Sequence, residues 1–132
     1  TTIKETTMPV VRAHQAPQFQ LPGVTFTGLA APSRGSRENC VWRVSVAPGT
    51  AGTAHVLDRE EIFVALSGRA LATVGAEQWP VGPGDTLIVP AGQTFSLANN
   101  GSESFDAIAL APHGVQVRML PGGATFAPPW TQ

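Results

Sequence analysis

A chain of 132 residues, 42% apolar and 13% charged, has the size of one compact domain and the composition of neither a disordered tail nor a set of long amphipathic helices. Its net charge of −1 comes with scattered arginines and so offers no basic field to nucleic acid. No apolar run reaches the ~18 residues of a membrane span. The 14 Gly and 12 Pro demand many turns, which points to an all-β domain of short strands.

Residues 1–32 read as an arm: Thr1–Thr7 is polar, prolines recur without helical period, and Val10-Val11 and Val24–Thr27 are candidate edge strands. From Cys40 the pattern changes. Val41–Val46 alternates and stops at Pro48-Gly49. Thr53–Leu57 is extended, and Glu61–Ser67 is a strong apolar run ended by Gly68. Arg69–Val74, Gln78–Val81, Thr86–Val89 and Thr94–Ala98 follow, separated by Gly, Pro and Asn clusters. Asn99-Asn100-Gly101 carries a hairpin signal. Ser104–Leu110 and Val115–Leu120 complete a barrel over 33–120, and 121–132 is expected to be an irregular tail. Cys40 is alone, which leaves no internal disulfide; it reads as a small apolar residue rather than a nucleophile. With no signal-peptide pattern at the start, a cytoplasmic location is expected.

Strand parity singles out two polar residues. If Asp58-Arg59-Glu60 is a turn joining Thr53–Leu57 to Glu61–Ser67 as a hairpin, His55, Leu57, Glu61, Phe63 and Ala65 share one face. His55 and Glu61 would then be diagonal neighbours. The other face carries Ile62, Val64 and Leu66, and a strand apolar on both faces is expected to be covered on both sides. A second subunit, in a homodimer, is the expected outer cover.

These residues resemble the cupin superfamily. Gly49, His55, Glu61 and Gly68 stand at the spacing of its first motif, G-x5-H-x-H-x3-4-E-x6-G. Gly84, Pro90, Gly92 and Asn99 stand at that of the second, G-x5-P-x-G-x2-H-x3-N. The resemblance covers about Val41 to Leu110 and implies a double-stranded β-helix, the jelly-roll barrel. It also implies a small single-domain protein that is commonly a homodimer, with its N-terminal arm exchanged or packed across the interface. In the family a metal is usually held by two His and the Glu of the first motif and the His of the second. Here the second His is Leu57 and the last is Phe95, so only His55 and Glu61 remain of the four ligands.

Sites for first-row divalent metals want three or four protein ligands. No cofactor is therefore expected; the alternative is a weakly bound divalent transition metal on His55 and Glu61, completed by His113, His14 or water. Leu57 and Phe95 make the pocket drier, which raises a carboxyl pKa, while a protonated His55 would lower it; the pair is expected to titrate as a unit. His55 and Glu61 thus form a candidate acid/base pair for isomerisation, cyclisation, elimination or decarboxylation of a small hydrophobic substrate. Leu57, Phe63, Phe95 and Trp42 are the expected pocket walls. The rival readings are a ligand-binding barrel without chemistry, in which His55 and Glu61 bond to each other, and a metal-dependent oxygenase or isomerase. An inward Arg43, Arg69 or Arg118 would imply an anionic substrate.

Overall fold

The computed structural model describes residues 9–132; Thr1–Met8, the start of the expected arm, lie outside the described residues. The chain is all-β and forms a jelly roll. Its strands are β1 (Gln18–Leu21), β2 (Val24–Ala30), β3 (Asn39–Val46), β4 (His55–Leu57), β5 (Glu61–Ser67), β6 (Ala70–Val74), β7 (Glu77–Val81), β8 (Thr86–Val89), β9 (Thr94–Ala98), β10 (Phe105–Pro112), β11 (Val117–Met119) and β12 (Thr125–Phe126). They build two antiparallel sheets, ordered β1-β2-β3-β10-β5-β8 and β12-β11-β4-β9-β6-β7.

From β4 onward the chain crosses between the sheets at almost every turn, and the turn chemistry allows it. Gly68 ends β5 with φ +75°, and a Cβ there would overlap the Ser104 carbonyl. Only glycine tolerates both the left-handed conformation and the close approach. Alternation then fills the interior: along β10, Phe105, Ala107, Ala109 and Ala111 are buried and the residues between them are not. Trp42 and Phe63 lie in register on either side of Ala109, so two large rings pack around a small residue. Pro80 sits in β7, which is an edge strand and loses no ladder bond on its open side.

Several expectations are corrected. Val10-Val11 is not a strand; a 3-10 turn at Ala13–Gln15 follows it. Val24–Thr27 belongs to β2, which is not an edge: it lies between β1 and β3, and Gln18–Leu21 takes the edge position. β4 and β5 do not form a hairpin. β4 pairs with β9 and β11, whereas β5 pairs with β10 and β8. The turn at 58–60 is a corner of the barrel, so His55 and Glu61 stand on opposite sheets. The Asn-Gly turn after β9 likewise crosses to β10, with the buried Asn99 amide donating to the carbonyls of Val46 (2.9 Å) and Glu103 (2.8 Å). The segment 121–132 is mostly without regular secondary structure, with two short exceptions. It holds β12 and a 3-10 turn at Pro129–Thr131, and Trp130 is buried and stacks on Phe26 with centroids 3.7 Å apart.

Candidate functional site

Between the sheets lies a cavity of about 700 Å³. Its size suits a small molecule, since such sites run to roughly 300–1,000 Å³. The six residues read from the sequence as site and pocket, His55, Glu61, Leu57, Phe63, Phe95 and Trp42, all line it. Strand parity put His55, Leu57, Glu61 and Phe63 on one face, and all four line the cavity although the strands pair differently.

The site has layers. β4 ends at Leu57 and β5 begins at Glu61, so the corner at 58–60 puts these two side chains at one end of the barrel. Two residues along each strand come His55 and Phe63, roughly 7 Å nearer the other end. His55 pairs directly with Phe95 across β4 and β9, with ring centroids 5.2 Å apart, and Phe95 lies 5.3 Å from Phe63. The rim beyond them is built by residues 49–53 and by the turn at Pro22-Gly23. Glu61 therefore sits at the closed end and His55 one layer nearer the mouth.

The two polar groups have separate environments. Glu61 is 4% exposed, and its Oε1 is buried with no hydrogen-bond partner. Burial pushes its pKa up to about 8, and no neighbouring charge draws it back. At neutral pH it is a protonated carboxyl, able to donate. Burial also lowers the pKa of His55, against an opposing hydrogen bond to the backbone of Thr53. His55 Nδ1 lies 2.8 Å from the Thr53 carbonyl oxygen, which can only accept. Nδ1 therefore carries the proton, and Nε2 of the neutral ring keeps a free lone pair. No hydrogen bond joins His55 to Glu61, contrary to the mutually bonded reading, and burial is the cause that raises the carboxyl pKa.

The ligand set falls short of a metal centre. His14 and His113 are exposed, in the first 3-10 turn and in the turn after β10, and neither lines the cavity; they do not complete the site. Among the described residues no group of three or more His, Cys, Asp or Glu can hold a metal ion. The donors present at the four family ligand positions, His55 and Glu61, do not fit a site that wants three or four. Arg43, Arg69 and Arg118 are exposed and outside the lining; Arg43 lies 3.7 Å from Asp106. Cys40 is fully buried against the Thr131 carbonyl (3.4 Å), and burial raises its pKa, so it is an inert thiol.

Sequence reasoning missed Phe26, Phe126, Met119 and Trp130, which also line the cavity. Phe26 and Trp130 were legible only as aromatics in segments taken for an arm and a tail. The Thr53 carbonyl carries no side-chain signal at all.

A family model for the cupin domain matches residues 42–111. No curated protein matches the chain in sequence. Among solved structures, the polyketide cyclase RemF from Streptomyces resistomycificus is 18% identical, with a TM-score of 0.71 over 92% of this chain and 88% of that one. KdgF from Halomonas sp. is 18% identical, with a TM-score of 0.67 over 80% and 94%. The 7S globulin of Momordica charantia is 23% identical, with a TM-score of 0.74 over 86% of this chain and 38% of that one. At these identities the likeness is one of fold. No helix among the described residues is long and apolar enough to cross a membrane.

Proposed function

Because the chain belongs to the cupin family, we propose that it is a small-molecule-binding cupin that acts as a metal-independent acid/base enzyme, with His55 as base and Glu61 as acid. The observation that carries this is the unpartnered, protonated Glu61 carboxyl in the same apolar cavity as a neutral imidazole with Nε2 free. One polar group donates and the other accepts, about one strand layer apart, with room for a substrate between them. A ketone fits that pair: its oxygen accepts from Glu61 while Nε2 of His55 removes a proton from the adjacent carbon. The C–H electron pair becomes the enol double bond, and the carbonyl oxygen takes the Glu61 proton. Isomerisation, cyclisation and elimination all begin this way. RemF, a polyketide cyclase by name, shares the fold, which is consistent with this reading.

The probe is 2-tetralone, a neutral bicyclic ketone with an acidic C–H beside the carbonyl. Deuterium incorporation in D2O, followed by proton NMR, is expected to be accelerated by the wild-type protein. His55→Ala should lower the enzymatic rate by at least about 100-fold, and Glu61→Gln by a smaller factor since its amide still donates. Equal rates in all three proteins would remove the acid/base role.

The partner in the assembly is proposed to be a second copy. Ile88, Val64 and Leu66 are 58%, 41% and 45% exposed on the outer face of β8 and β5. In register, Ile88, Ile62, Leu110 and Val41 make an apolar row across four strands. A face of this kind marks an interaction surface. Sedimentation at micromolar concentration is expected to show twice the 13.7 kDa chain mass. A species at the single-chain mass would count against the dimer.

A further inference from the structure

The cavity lining restricts the ligand beyond "small and hydrophobic", a selectivity that rests on the ligand-binding part of the proposed function. Four side chains with hydroxyl, imidazole or carboxyl groups line the cavity: Thr50, Thr53, His55 and Glu61. Thr50 and Thr53 belong to the rim, and the Thr50 hydroxyl is already engaged with the Ala47 carbonyl at 2.7 Å. Besides the indole N–H groups of its tryptophans, the interior therefore offers one side-chain donor, Glu61, and one nitrogen acceptor, His55. No Lys or Arg among the described residues lines it.

Charge and hydroxyl content are both constrained by that inventory. A carboxylate or phosphate would lose its hydration and find no cation to replace it. A sugar would carry several hydroxyl donors into a space with few acceptors, and each one left over costs a desolvation penalty. The walls favour another shape. Trp42 and Phe63 on one sheet and Phe95 and Phe126 on the other present rings to the cavity, with the stacked pair Phe26 and Trp130 closing a side. Flat rings stack on such surfaces in offset or edge-on geometry. The carboxyl donor lies at the closed end, with its Oε1 lacking any protein partner.

We infer that the cavity selects an uncharged, flat, fused-ring molecule bearing one carbonyl or hydroxyl oxygen, which enters oxygen first and is met by Glu61. The ring system lies between the aromatic walls. The carbon next to the oxygen-bearing one lies one layer up, at the level of His55.

Calorimetric titration of the wild-type protein at pH 7 with four probes tests this: 2-tetralone, naphthalene, 2-naphthoate and glucose. 2-Tetralone is expected to bind tightest, about 3- to 10-fold above naphthalene, the worth of one hydrogen bond. 2-Naphthoate, with the same ring count and a charge, is expected to fall at least about 10-fold below 2-tetralone, and glucose to show no binding. In Glu61→Leu the preference of 2-tetralone over naphthalene should vanish while naphthalene still binds. 2-Naphthoate or glucose binding as tightly as 2-tetralone would overturn the inference, as would a preference that survives in Glu61→Leu. Failure of chemistry is separable: the same ranking in a protein that exchanges no tetralone protons upholds this inference and contradicts the catalytic one.

Discussion

Glu61→Gln is expected to raise the stability of the protein at pH 8 by roughly 4 kcal/mol more than it does at pH 4, measured by urea unfolding. The sign comes from where the proton sits. In the unfolded chain Glu61 ionises near 4.5, whereas in the folded protein it holds its proton to about 8. Between those values the unfolded state releases a proton that the native state retains. Stability therefore falls as pH rises through the window, by about 1.4 kcal/mol per unit, and levels off above pH 8. Gln cannot ionise, so this loss disappears. His55 titrates in the opposite sense: its native pKa is depressed, so the stability it supports is present above its unfolded pKa and lost as pH falls through it. That contribution is common to both proteins and cancels in the comparison. Parallel stability profiles in wild type and Glu61→Gln would mean that Glu61 is not a buried neutral acid.

The second large effect is on metal affinity. Positions 55, 57, 61 and 95 all line the same cavity, and His55 is the cross-strand partner of Phe95. The double change Leu57→His with Phe95→His should thus restore a four-ligand set at the family's positions. The affinity for Zn(II), measured by calorimetry, is expected to rise on the order of 10³-fold or more, because two ligands are being completed to four. Binding releases protons, as Glu61 must ionise to ligate, so the affinity of the double variant should grow with pH toward 8. A folded double variant with wild-type affinity for Zn(II) would show that the four positions do not converge.

The fold was legible where local pattern carries it. Alternation along residues 41–46 and the apolar run along 61–67 marked real strands, and the Gly and Pro residues at 49, 68, 84, 90 and 92 marked real turns. Period-two parity placed His55, Leu57, Glu61 and Phe63 in the interior without knowledge of their partners. The partners themselves were not legible. Asp58-Arg59-Glu60 has the length of a hairpin turn, yet β4 pairs with strands far along the chain, because each sheet needs both its neighbours to close the barrel. Nothing local distinguishes a corner from a hairpin.

The site was half legible for a related reason. The polar pair stood out against an apolar face, so its members could be named. Its electrostatics depended on burial depth, which raises the carboxyl pKa and lowers that of His55 and which no local pattern encodes. Trp130 was hidden among Pro128 and Pro129, which read as irregular chain. They instead carry the ring back across β2, where it meets Phe26. Ile62, Val64 and Leu66 read as a covered face, whereas Val64 and Leu66 are exposed in the single chain, and that surplus is what argues for a second copy.

This cupin barrel is proposed to move protons with His55 and Glu61 and without a metal. The most direct measurement is deuterium exchange into 2-tetralone by the wild-type protein before and after exhaustive dialysis against a chelator. The expected result is an acceleration that is unchanged by chelation and lost in His55→Ala. Exchange that is abolished by the chelator and restored by a divalent metal would contradict it.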